Sequence, residues 1–276
     1  AARWPLLAVL RKSRNCRRLP QGTGARAISM TGSELISHVE NSRQKLPFTV
    51  ALISLAGLML EIGLTRLFSV LFFPPAVFGI LSLAILGIGL GAALVTWQAR
   101  WCDRGRVPFY LGLAAAGVVA VTAVSTIPSL QIFLFGLVVL PYLFMGMALT
   151  SLFSDTPQRS PQLYLADLIG AGLGALLAVP LLNWLGGLNG VLSTAVFLTV
   201  AGWLGGKRPF SAIVLLGVTV IIFASQLLFP WLHLSMAQLP TEKPMGETLA
   251  AAGSTIIDTR WDAFARTDLV APGDGG

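Results

Sequence analysis

Three ionisable residues, Glu61, Arg66 and Asp167, lie inside long apolar stretches of the chain. A charge in bilayer hydrocarbon is costly, so such residues face a bundle interior or a wet cavity. They then serve a solute or proton site, or form a polar cluster that fixes helix packing. Two intramembrane carboxylates would suit a cation. Glu61 and Arg66 are five residues apart, a turn of roughly 140° on a helix at 3.6 residues per turn, so they do not share a face and need partners on other helices. Arg66 lies near the end of its stretch, where its aliphatic stem lets the guanidinium snorkel outward. Asp167 lies about one helical turn inside the start of its stretch, beside Tyr164. Glu61, Arg66, Asp167 and Tyr164 are thus the candidate substrate-binding residues, with a structural cluster as the alternative.

No residue is nominated as catalytic, cofactor-binding or metal-binding. The two histidines, His38 and His233, are isolated, and no metal-ligand spacing occurs. Cys16 and Cys102 fall in segments read as cytoplasmic, so no disulfide is expected. Gly87-Ile88-Gly89-Leu90-Gly91-Ala92 has the spacing of a dinucleotide fingerprint. That motif needs a strand before it and a helix after it. Here it sits within one apolar run, where small residues let membrane helices approach closely. Gly170, Ala171, Gly174 and Ala175 make a second small-residue face with the same reading.

These residues need apolar elements to hold them. The chain has 276 residues, 55% hydrophobic and 11% charged, against about 25% charged in a soluble domain. Its mean hydropathy is +0.77. Lipid must cover part of that surface. Spans of about 20 apolar residues are expected at 48–71, 76–97, 108–127, 130–153, 162–184, 187–204 and 209–230. Pro74-Pro75, the Arg100–Arg106 segment, Pro128, the 155–161 segment, Gly186-Gly187 with Asn189, and the 205–209 segment punctuate them. Pro141 and Pro180 are expected to kink the fourth and fifth spans. The fold class is an all-α integral membrane bundle of about seven spans, six to eight, with a short β-like C-terminal stub.

Residues 1–46 carry nine Lys/Arg against Glu34 and Glu40, a surplus equal to the whole formal net charge of +7. The high pI therefore describes a basic tail beside a first span, which holds that end in the cytoplasm, rather than a nucleic-acid surface. Residues 1–29 are Arg-rich and acid-free, the composition of a transit peptide or of sequence upstream of a true start at Met30. All loop Lys/Arg fall on the side of the basic tail, and the other loops carry no charge. The expected location is a bacterial inner (plasma) membrane, N-terminus cytoplasmic. Residues 47–230 form the bundle, 231–254 a linker, and 255–276 the opening of a soluble domain, with two short strands around a turn in 255–270.

Three ordered sets carry a resemblance. They are Leu60-Glu61-Ile62-Gly63-Leu64-Thr65-Arg66-Leu67-Phe68-Ser69; Tyr164-Leu165-Ala166-Asp167-Leu168-Ile169-Gly170-Ala171-Gly172-Leu173-Gly174 with Pro180-Leu181-Leu182 and Gly186-Gly187; and Thr259-Arg260-Trp261-Asp262-Ala263-Phe264-Ala265-Arg266-Thr267-Asp268-Leu269-Val270. Over about residues 47–270 the chain resembles the membrane-fused spermidine synthase-like proteins, in which a polytopic bundle precedes an aminopropyltransferase-type domain. The resemblance implies decarboxylated S-adenosylmethionine as co-substrate of that domain only. Its glycine-rich loop and acids have no counterpart here, so the chain itself is expected to lack transferase activity. Alternatives are a transporter for a small cationic solute, such as a polyamine, using Glu61 and Asp167, and a structural membrane anchor. Seven spans with a cytoplasmic N-terminus put Trp261 outside, whereas cytosolic substrates would need it inside. A re-entrant segment, with 187–204 the first suspect, an eighth span from 231–240, or an external domain would each reconcile the two.

Overall fold

In hydrocarbon every backbone N–H and C=O must bond within its own segment, so long apolar runs become helices. The computed structural model of the chain describes residues 32–72, 74–205, 209–233, 255–261 and 266–271. Seven helices carry the bundle: α1 Gly32–Leu71, α2 Pro74–Trp97, α3 Val107–Ser125, α4 Val139–Asp155, α5 Ser160–Leu185, α6 Gly187–Gly205 and α7 Pro209–Leu228. All seven are long and apolar enough, with their flanking turns, to cross a membrane. The basic segment 1–31, the linker 234–254 and the chain end lie outside the described residues.

The expected boundaries are met at α2, α3, α5, α6 and α7 to within a few residues. α1 instead begins at Gly32 and runs through Pro47. Pro47 lacks the N–H that would bond back to residue 43, yet Leu46, Thr49 and Val50 around it are buried, so packing holds the helix together. The fourth span is not one helix. A 3₁₀ segment Pro128–Phe133 and a single turn Leu134–Leu137 lead to α4, with a break at Val138. The missing N–H of Pro141 would have bonded to Leu137, which puts the interruption where the sequence expects a kink. α5, by contrast, runs through Pro180 without interruption.

Close contacts fix the packing. A Cβ on Gly170 or Gly174 would collide with the carbonyls of Ala51 and Leu55, so α1 and α5 run parallel in van der Waals contact. A Cβ on Gly63 would meet Val191 at 2.9 Å and one on Gly205 would meet Thr49 at 2.6 Å. α6 therefore runs antiparallel to α1 along its whole length. Gly87 packs on Val139 and Tyr142, and Gly91 on Leu143 and Met147, with Gly146 against Ile88. α2 and α4 are thus parallel, and the apparent dinucleotide fingerprint is a helix-packing face.

α1, α3 and α6 form the centre of the bundle, more than half buried, while α2, α5 and α7 are each less than a quarter buried. The shortest span, suspected as re-entrant, is the most enclosed helix of all. It enters from α5 through Gly186, whose φ of +80° suits glycine, and Asn189 donates to the Leu185 carbonyl at 3.0 Å.

At one end of the bundle the α2–α3 connection, the end of α4 and the end of α6 meet. The Arg104 guanidinium pairs with Asp155 at 3.5 Å and its Nε donates to the Gly205 carbonyl at 3.4 Å. At the other end Gln226 brackets the turn after α7: its amide donates to the Leu232 carbonyl at 2.8 Å and accepts from the Leu232 N–H at 2.9 Å. Alternate connections therefore lie at opposite ends, as seven crossings require. Beyond the linker, β1 Thr255–Trp261 and β2 Arg266–Ala271 pair antiparallel, as expected from sequence, with a bulge between Ile256 and Asp258. The Thr259 hydroxyl donates to Asp268 at 2.5 Å across the pair.

Candidate functional site

The residues at the heart of the site lie on α1. At 1.5 Å per residue, Glu61 sits about 24 Å beyond Lys45 and about 15 Å before Leu71, well inside the span. Positions 54, 58, 61 and 65 fall within about 60° of one another on a helical wheel at 100° per residue. All four, Ser54, Leu58, Glu61 and Thr65, are half-buried. α5 packs along α1 on one side of this stripe through Ala51 and Leu55. α4 approaches on the other, where Met145 meets Gly57. α4 and α5 do not pack along one another, and α2 packs on both α1 and α4.

The four residues nominated from sequence are not brought together. Asp167 accepts a short hydrogen bond from Ser54, whose hydroxyl also lies 3.0 Å from the Val50 carbonyl. Tyr164 is 59% exposed on the outer face of α5 and takes no part in a cluster. Arg66 is half-buried and engaged in other polar contacts. Among the described residues no ion pair joins Arg66 to Glu61 or Asp167. Glu61 and Arg66 indeed occupy different faces, as their spacing requires.

Sequence reasoning did not single out Ser54, Thr65 and Tyr142. The Thr65 hydroxyl donates to the Glu61 carbonyl at 2.6 Å. Tyr142 on α4 is 1% exposed and its hydroxyl has no hydrogen-bond partner among the described residues. α1 and α4 are antiparallel, so the Gly57–Met145 contact places Tyr142 opposite Glu61, one turn further along each helix. A buried tyrosine hydroxyl normally finds a partner, which is the signal that marks this position. No group of three His, Cys, Asp or Glu residues able to hold a metal occurs among the described residues. Cys102 is half-buried.

Aromatic residues mark both ends of the spans. Phe48, Trp97, Phe109, Tyr164 and Trp203 are exposed at the end that holds Arg104, and Phe133, Trp184, Phe229 and Trp231 at the other. Such belts sit at the two headgroup levels of a bilayer. With the apolar outer faces of α2, α5 and α7, they define a multi-pass α-helical membrane protein. Compared with family models, curated proteins and solved structures, the chain matches none.

Proposed function

We propose that this chain is the membrane-embedded part of a spermidine synthase-like protein, with its bundle preceding a soluble aminopropyltransferase-type domain. One observation supports the reading. The segment that the resemblance marks as the opening of the soluble domain pairs as a β-hairpin, β1–β2, directly after the seven spans and a linker. The basic end, with Arg104 and Arg106 in the α2–α3 connection and Arg159 before α5, is the cytoplasmic face on the positive-inside rule. The membrane is then a bacterial plasma membrane with the N-terminus inside.

The test is to sequence the transcript beyond the Gly276 codon and assay the longer product. The expected frame runs through a strand, a glycine-rich loop and a downstream acid. Its product transfers an aminopropyl group from decarboxylated S-adenosylmethionine to a diamine, and the 276-residue chain alone does not. A stop at that point, or an extended product without transfer, removes the synthase reading. Glu61, half-buried within its span and without an ion-pair partner among the described residues, favours a second reading, a bundle that carries a small cationic solute. Uptake by proteoliposomes that is unchanged by Glu61→Gln would exclude it.

A further inference from the structure

The three arginines of the α2–α3 connection point different ways. Arg104 is turned into the bundle, paired with Asp155 and donating to the Gly205 carbonyl. Arg100 and Arg106 are exposed, and neither forms an ion pair among the described residues. Asp103, the acid between them, is committed to the backbone: its carboxylate accepts from the Gly105 N–H at 3.0 Å. Two guanidinium groups without a counter-ion therefore stand at the basic end of the bundle, where the apolar spans give way to water. The connections at the opposite end carry no Lys or Arg.

Their positions are tied together. The Arg100 guanidinium carbon lies 5.9 Å from the centre of the Trp101 ring, and its Nε donates to Gln98 at 2.8 Å. The Trp101 carbonyl accepts from the Tyr110 hydroxyl at 2.8 Å, which folds the connection back onto the start of α3. Arg106 is the residue before α3, four positions ahead of Tyr110 and so one turn away on the same face. The Trp101–Tyr110 link thus holds Arg100 and Arg106 in one patch. Trp97 in the last turn of α2 and Phe109 in the first turn of α3 are both exposed beside it, as aromatic rings at headgroup level are.

We propose that Arg100 and Arg106 form a site for the headgroup phosphate of an anionic phospholipid in the leaflet at the basic end, with Trp97 and Phe109 against its glycerol and upper acyl chain. A guanidinium presents its N–H donors as a planar fork that fits two oxygens of a phosphodiester. Arg100 keeps both terminal nitrogens for this after its Nε bond to Gln98. Charge selects among lipids. Two fixed cations attract a headgroup that is negative overall, and they repel the trimethylammonium of a phosphatidylcholine, which already neutralises its own phosphate. Orientation by the positive-inside rule needs only charge on a loop. Here the Trp101–Tyr110 link adds a fixed place for that charge. The site is independent of both the synthase and the solute-carrying readings, and either of those can fail while lipid binding holds.

The experiment is native mass spectrometry of the whole 276-residue chain in detergent micelles, titrated with phosphatidylglycerol or with phosphatidylcholine of identical acyl chains. One phosphatidylglycerol per chain should bind at least about tenfold more tightly than phosphatidylcholine, with about fivefold from each arginine. Arg100→Gln and Arg106→Gln should each reduce that preference about fivefold, and the two together should abolish it. Lys45→Gln, which removes another exposed charge from the same end, should leave the preference unchanged. Inorganic phosphate in excess should not displace the lipid. A preference that survives the double variant, that Lys45→Gln lowers as much as either arginine variant, or that free phosphate abolishes would overturn the proposal. Both arginines are exposed, so thermal unfolding of the variants should match that of the parent chain. If the double variant does not fold, the two single variants decide the matter.

Discussion

At the scale of single residues, Ser54 and Asp167 form a clasp between two parallel helices. Asp167 is the acceptor, and Ser54 also approaches its own Val50 carbonyl. Removing one partner leaves a carboxylate in apolar surroundings, which costs more than the bond contributes when formed. Ser54→Ala should therefore lower stability by about 1 kcal/mol, within the range of hydrogen bonds between membrane helices. Ser54→Ala combined with Asp167→Leu should recover part of that loss, because neither polar group is then stranded. Unfolding in mixed detergent micelles measures both. A double variant whose total loss of stability equals the sum of the two single losses would show that the residues do not interact. Asp167 was legible in the sequence because a charge in an apolar run is conspicuous. Ser54 and Tyr142 were not. A serine or threonine in such a run ordinarily bonds back to its own helix, as Thr65 does with Glu61. Nothing in a linear pattern reveals which tyrosine faces which acid.

At the scale of elements, the helix-packing glycines separate into those that touch a neighbour and those that do not. The run Gly87–Gly91 reads as one small-residue motif, yet its members differ. A Cβ on Gly91 would strike the Leu143 carbonyl, whereas one on Gly89 would meet nothing within 4 Å. Gly91→Leu should force α2 off α4 at a cost of more than about 2 kcal/mol, with poor recovery of folded protein. Gly89→Leu, facing outward, should change stability by less than about 0.5 kcal/mol. Equal effects at the two positions would mean that α2 does not pack on α4 as described. The number and order of the helices were legible because proline, glycine and charge punctuate apolar runs. The broken fourth span was partly legible through Pro141, since a missing N–H has a local consequence. The continuous α1 through Pro47 was not, because the burial of Leu46, Thr49 and Val50 overrides the local penalty. The depth of α6 was hidden for a related reason. Its length marks it as marginal, while its enclosure depends on four neighbours, α1, α3, α5 and α7, that the sequence does not name.

At the scale of the whole molecule, seven crossings fix which surfaces share a side. Arg104 ties the α2–α3 connection to the ends of α4 and α6, and the Gln226 bracket closes α7 at the opposite end. α6 runs antiparallel to α1 from the Gly205–Thr49 contact to the Gly63–Val191 contact, so it counts as a complete crossing and not as a re-entrant hairpin. Arg100 then lies on one side of the bilayer, with Ser129 and His233, all three exposed, dividing as one against two. In a Cys16→Ser, Cys102→Ser background, single replacements Arg100→Cys, Ser129→Cys and His233→Cys can be probed in intact cells with a membrane-impermeant maleimide. With the basic face inward, Ser129→Cys and His233→Cys should label from outside, and Arg100→Cys only after the membrane is permeabilised. Labelling of Arg100→Cys alone from outside would keep the bundle and invert its orientation. Labelling of His233→Cys together with Arg100→Cys would mean that one of the seven helices does not cross, and the antiparallel register of α1 with α6 would be the first feature to fall.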